Sequence, residues 1–169
     1  MIVSVYNPEW PAMFCRERDA LASHVGDNLV EAEHIGSTSV PGLVAKPVID
    51  MLVAVRSLDD LDTKAELFRL SGYDYLGEFG IAGRRYMRRH HPDGTRALHI
   101  HVFRAGDTNL HRHLAFRDYL RAHPGERDSY AAKKQELVDN GVDPDGYLDG
   151  KQAFVIAMEQ RALVWAATQ

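Results

Sequence analysis

One cysteine, Cys15, stands in 169 residues, and that scarcity excludes an internal disulfide and a cysteine-rich zinc site. Its place among Phe14, Arg16 and Arg18 on a predicted helix reads as an incidental thiol. No apolar stretch approaches the roughly 18 uninterrupted residues of a membrane span. Residues Met1 to Pro11 lack a basic region followed by an apolar core, so no secretory leader is expected, and the expected compartment is the cytoplasm. Internal repeats, low-complexity linkers and long runs of like charge are also missing. With 45% hydrophobic and 26% charged residues, the chain has the composition of one ordinary α/β domain over 1–169. Its sheet and first helices are expected over 1–108 and a helical part over 109–169.

Lysine is absent from one long segment. Between Arg84 and Arg127 there are ten arginines (84, 85, 88, 89, 96, 104, 112, 117, 121 and 127) and no lysine, against Asp93, Asp107, Asp118 and Glu126. The segment is therefore +6 with histidine neutral, inside a chain of formal charge −4. The planar guanidinium fork matches phosphate and carboxylate oxygens, so an anionic substrate is the inference, although any single arginine here also reads as a solvated surface charge. The several interleaved aromatics of a single-strand nucleic-acid surface are missing and the whole chain is acidic, so neither nucleic acid nor membrane is an expected partner. Nothing in the sequence fixes an oligomeric state.

What is present, and dense, is the stretch His34-Ile35-Gly36-Ser37-Thr38-Ser39-Val40-Pro41-Gly42, followed by Lys46-Pro47-Val48-Ile49-Asp50. Gly36 and Gly42 allow close backbone approach, Ser37, Thr38 and Ser39 offer hydroxyls, and free backbone N–H groups in such a turn form an anion-binding concavity. Asp50 then lies in the apolar run Val48 to Val55, which reads as a buried strand. A carboxylate there carries a desolvation cost unless it is paired or bound to a metal; the plainer alternative is an aspartate that stabilises a strand edge. Later, Leu98-His99-Ile100-His101-Val102-Phe103 puts two imidazoles at i and i+2, on one face of a strand. Such a pair binds a transition metal or contacts phosphate, or else fills the solvent-facing positions of a half-buried strand.

The remaining pattern predicts a helix opened by Pro8 and Pro11 through about Ser23, a strand from Leu29 to Ile35, and a helix from Asp59 to Leu70 capped by Ser57. A short strand follows at Tyr73 to Leu76. Arg84 to His90 and Arg96 to Phe103 form a hairpin about Pro92-Asp93-Gly94, and three helical pieces follow Asn109. His111 and His113 read as helix-surface residues, whereas Arg117, one turn from His113, reaches toward the sheet's cleft.

With Glu33 to Leu43, Ala45 to Asp50 and His99-Ile100-His101-Val102 laid out, the chain closely resembles the GrpB protein family. Tyr6 to Pro11, Phe116 to Arg121, Tyr130 with Lys134, and Tyr147 with Lys151 extend the resemblance over nearly the whole length. That family is similar to the nucleotidyltransferase fold, an α/β (α+β) mixed sheet with flanking helices, here with a helical C-terminal tail. In that fold a Gly-Ser turn holds a nucleoside triphosphate, and carboxylates on neighbouring strands bind two Mg²⁺. The family also resembles a domain fused to the C-terminus of some bacterial dephospho-coenzyme A kinases.

The resemblance implies a nucleotidyltransferase-like protein that acts on or binds a phosphate-bearing ligand, a nucleotide or coenzyme-like molecule. Gly36, Ser37, Thr38 and Ser39 would hold the phosphates. Lys46, Arg85, Arg117, Lys134, Tyr147 and Lys151 would surround them. Asp50, His99 and His101 would coordinate a divalent ion, Mg, Mn or Zn, or act in proton transfer. One departure is visible. The position two residues after Asp50 is Leu52, where such transferases have a second carboxylate, and imidazoles suit Zn²⁺ or Mn²⁺ better than Mg²⁺. The alternative is a catalytically silent nucleotide-binding or anion-binding module.

Overall fold

In the computed structural model of the protein, which describes residues 3–169 (the side chain of Pro144 excepted), the apolar run before Arg56 forms β2 (Ile49–Val55), second in a five-stranded sheet. The order is β1-β2-β5-β4-β3. β1 (Leu29–Ile35) runs antiparallel to β2, and β5 (Arg96–Arg104) runs parallel to it. β4 (Arg85–His90) and the two-residue β3 (Asp74–Tyr75) complete the sheet in antiparallel pairing. A strand paired on both sides and covered on both faces reads as continuous apolar sequence rather than as an alternation. Met51, Leu52, Val53 and Val55 are accordingly at most 2% exposed.

Strand alternation divides the sheet into two chemically different faces. Met51, Val53, Val55, Leu98, Ile100 and Val102 point toward α1 (Trp10–Val25) and form the main core with its Trp10, Phe14 and Leu21. Asp50, Leu52, His99, His101 and Phe103 have the opposite parity. That second face is covered over β1 and β2 by α4 (Thr108–Ala122), which packs with α5 (Pro124–Asp139) and α6 (Pro144–Ala166). The register of the parallel pair places Asp50 against His99 and Leu52 against His101.

The helix expected over Asp59 to Leu70 is two helices, α2 (Leu58–Asp62) and α3 (Ala65–Leu70). Ser57 caps the first, its Oγ accepting from Asp60 N at 3.1 Å. The break falls at Thr63 and Lys64, and Lys64 ties it to α1. The Lys64 Nζ donates to the carbonyls of His24 and Val25 at 2.9 and 3.0 Å, at the C-terminal end of α1. The hairpin forms as the Pro92-Asp93-Gly94 turn predicts, with His91 N donating to Thr95 O at 2.8 Å. Among the described residues no helix is long and apolar enough to cross a membrane.

Candidate functional site

Gly36 ends β1 with φ 73° and ψ −178°, a region essentially reserved for glycine, and Ser37–Ser39 then make one 3₁₀ turn. The turn is held from inside. Ser39 Oγ donates to Gly36 O at 2.5 Å, and Thr38 Oγ1 donates to Val48 O at 3.2 Å while accepting from His34 Nε2 at 2.9 Å. Both side chains are buried, at 3% and 1% exposure. The two hydroxyls expected to hold phosphate are therefore spent on the turn's own structure. Ser37 differs. Its Oγ accepts from Lys134 Nζ at 2.7 Å and keeps its own hydrogen to donate. The backbone N–H groups of Ser37 and Thr38 have no acceptor within the described residues.

His34, to which the sequence alone assigns no role, pins this turn from below and stacks on Phe14 with ring centroids 5.0 Å apart. Burial pushes its imidazole down to about 4, and the nearby guanidiniums of Arg121 and Arg117 act in the same direction. The unfolded chain, with an ordinary histidine pKa of about 6.5, takes up the proton first. The stabilisation from a neutral His34 is thus complete above about pH 6.5 and is lost as pH falls toward 4. The His34 contribution to the unfolding free energy, measured by urea denaturation, should decline across that interval by up to about 1.4 kcal/mol per pH unit. His34→Gln, which retains an N–H donor for Thr38, should remove that share of the decline and leave the part due to His101 and His113, which burial pushes down to about 4 and about 3; an unaltered slope would mean that His34 contributes none of it.

Asp50 stands directly behind Gly36. Its Oδ1 accepts from His99 Nδ1 at 3.0 Å and lies 4.0 Å from His101 Nε2. Burial pushes the carboxyl up, but the hydrogen bond from His99 and the neighbouring positive groups outweigh it and hold the pKa below the ordinary value. The outer nitrogens of both imidazoles accept from arginines, which donate only. Arg96 Nη1 is 2.9 Å from His99 Nε2, and Arg84 Nη1 is 3.3 Å from His101 Nδ1. The hydrogen-bond network thereby assigns the tautomers: each ring turns an N–H, not a lone pair, toward Asp50.

That arrangement is the wrong donor set for two magnesium ions. A metal needs the lone pair that each ring here gives to an arginine. Leu52, where a second carboxylate would stand, is 2% exposed and packed with Ile35, Phe103, Leu110 and Leu114. Among the described residues no three His, Cys, Asp or Glu side chains are disposed to hold an ion.

Opposite Asp50, the sheet, the Gly36 turn and the helical tail enclose a cavity of about 390 Å³. Its wall carries Lys46, Lys134 and Lys151, while its only carboxylates among the described residues are Asp50 and Glu159, and Glu159 is paired with Arg112 at 3.0 Å. Lys134 is 3% exposed, donates to Ser37 Oγ and to Val44 O at 2.8 Å, and sits 4.6 Å over the Tyr130 ring. Burial, with repulsion from Lys151, pushes it down to about 7. Lys46 lies 5.1 Å over the Tyr147 ring and is lowered for the same two reasons. Tyr147 and Lys151 both line the cavity.

Two arginines expected at the ligand stand differently. Arg117 reaches the cavity wall, but its guanidinium is engaged by Glu33 at 2.5 Å and Asp118 at 2.9 Å. Arg85 is not at the site: on β4 it faces the α1 side of the sheet, and it grips Asp62 through Nε and Nη2 at 2.8 and 2.9 Å. Its neighbours Arg84 and Tyr86 take the site side instead, and a run so rich in arginine carries no parity by which to tell them apart. His113, expected on a helix surface, lines the cavity with its ring 5.7 Å from that of His101.

A relative in Bacillus subtilis, UPF0157 protein YqkA, is 38% identical over 96% of this chain, and the match covers 47% of YqkA. The dephospho-CoA kinase of Mycobacterium tuberculosis is 32% identical over 95% of this chain and 45% of its own length. The chain thus spans about half of each. The crystal structure of the conserved protein GrpB from Enterococcus faecalis superposes with a TM-score of 0.92 at 41% identity, covering 98% of this chain and 99% of that one. Terminal uridylyl transferase 4 from Trypanosoma brucei, with bound dUTP, superposes at 0.56 with 14% identity over 93% of this chain and 55% of that one, a likeness of fold alone. The mixed sheet is therefore of the nucleotidyltransferase type, and, since the family profile described as GrpB protein matches residues 1–161, the chain belongs to the GrpB family.

Proposed function

We propose that the cavity binds a phosphate-bearing small molecule of the nucleotide or coenzyme type. Its phosphates lie against Lys46, Lys134, Lys151 and the free amides of Ser37 and Thr38. The observation that carries this reading is the convergence of three ammonium groups, one of them buried, on a cavity in which Asp50 is the one described carboxylate without an arginine partner. Burying like charges together is unfavourable until an anion joins them. The bound dUTP of the uridylyl transferase and the name of the dephospho-CoA kinases both concern phosphate-bearing molecules, which supports the same ligand class.

The bound ligand has two possible fates. In the first, Asp50 takes part in proton transfer and the protein turns its ligand over. In the second the protein is a silent binding module, and the buried Leu52 together with the N–H groups turned on Asp50 favours this one. A divalent ion at Asp50, His99 and His101 is the competing arrangement. The test is calorimetric titration with nucleoside triphosphates and coenzyme A precursors, in EDTA and in Mg²⁺, Mn²⁺ or Zn²⁺. Binding is expected in EDTA. Lys134→Met and Lys151→Met should each weaken it at least tenfold, since a charge-assisted contact contributes about 1.5–3 kcal/mol. Arg85→Ala should leave it unchanged. A strict requirement for a divalent ion would overturn metal-free binding and return the aspartate and histidines to a ligand role.

A further inference from the structure

On the same face as Asp50, one strand beyond the histidines, Tyr86 of β4 lies with its ring centroid 5.4 Å from that of His101 and 6.0 Å from that of His99. Over it, stacked at 5.2 Å and 17°, sits Phe79 from the loop between β3 and β4. Phe79 is the one described non-glycine residue with positive φ, 46°, and it is 57% exposed. A phenylalanine held in that conformation and more than half exposed buries little apolar surface for the fold. Strain of this kind persists where the surroundings enforce it, and it gathers at ligand sites.

The enforcement is visible. Arg84, 7% exposed and without a carboxylate partner among the described residues, donates through Nη2 to Phe79 O at 2.7 Å and through Nε to Glu78 O at 3.2 Å. Its Nη1 meets His101, so the loop is tied to the imidazole that faces Asp50. Arg96 flanks the same shelf. It touches His90, Tyr86 Oη and His99, and among the described residues it makes no ion pair and its Nη2 has no hydrogen-bond partner.

We propose that Phe79, Tyr86 and Arg96 form a second ligand subsite beside Asp50, for a planar aromatic ring carrying an anionic group, of the kind found in a nucleoside monophosphate. Phe79, more than half exposed, with Tyr86 stacked on it and the Arg88 guanidinium 6.0 Å from its ring centroid, stacks the ring of the ligand, and the unpartnered Nη2 of Arg96 receives the anion. This subsite shares no residue with the lysine wall, so it stands or falls separately from phosphate binding there. If both are filled, Asp50 lies between two bound ligands.

The probe is adenosine monophosphate, titrated into the protein with inorganic tripolyphosphate present at saturation to occupy the lysines. A binding event is expected, weakened at least tenfold by Phe79→Gly and by Arg96→Gln, with adenosine alone and inorganic phosphate alone each much weaker. Phe79→Gly relieves the positive φ, so its melting temperature should equal or exceed that of the parent, which separates a lost contact from a lost fold. Tripolyphosphate binding should be unchanged in Phe79→Gly and weakened in Lys134→Met. Monophosphate binding that is absent, or that survives both Phe79→Gly and Arg96→Gln, overturns the proposal. Phe79-dependent binding in a protein that ignores tripolyphosphate would support the second subsite while refuting the lysine site.

Discussion

Gly36→Ala is expected to be among the most destabilising single-methyl additions in this chain. At φ 73° and ψ −178° the backbone alone resists a side chain, at a cost of about 1–3 kcal/mol. The added Cβ would also lie 2.5 Å from Asp50 Oδ2 and 2.9 Å from Asp50 Cβ. Those atoms have little room to retreat, because Oδ1 is held by His99 and the backbone belongs to a strand paired on both sides. A total near 4 kcal/mol is expected, which for a chain of this size lowers the melting temperature by roughly 10 °C. Gly94→Ala isolates the backbone part: φ is 83° there, but nothing lies within 4 Å of the added carbon, so about 1 kcal/mol is expected. Equal losses in the two variants, measured by urea denaturation, would mean that the close approach of the turn to Asp50 does not constrain the fold.

That close approach explains what is legible in the sequence. Gly36 and Asp50 adjoin in the chain's pattern, and strand parity alone puts Asp50 on one face and His99 with His101 on one face. What joins the two faces is the parallel register of β2 with β5, across a connection that contains α2, α3, β3 and β4. No local signal encodes such a pairing. Thr38 and Ser39 mislead for a different reason: a hydroxyl that caps its own turn and one that holds a ligand are the same residue type until the carbonyls around them are placed. Arg84 escapes notice because it is one of ten arginines, and only its burial without a carboxylate distinguishes it. His113 reads as a surface residue because α4 carries little apolar patterning, so the side facing the sheet has no signature in the sequence.

Asp50→Asn gives opposite results under the two accounts of the site. Where a divalent ion bridges Asp50 and phosphate, removing the charge removes an ion ligand, and phosphate binding falls steeply. Without an ion, Asp50 is a negative charge facing a polyanion. At a separation of about 8–10 Å and an effective dielectric of about 20, such a repulsion would be on the order of 1.5–2 kcal/mol per phosphate charge. Asparagine keeps an oxygen to accept from His99 Nδ1 and sheds the charge, so triphosphate binding in EDTA should tighten by roughly tenfold. The same variant should lose any turnover that depends on a carboxylate, since an amide cannot take a proton at neutral pH. Tighter binding with lost turnover would make Asp50 the working group of a metal-free site. Tighter binding with no turnover in either protein would identify a silent binding module, and unchanged binding would place the phosphates away from Asp50 altogether.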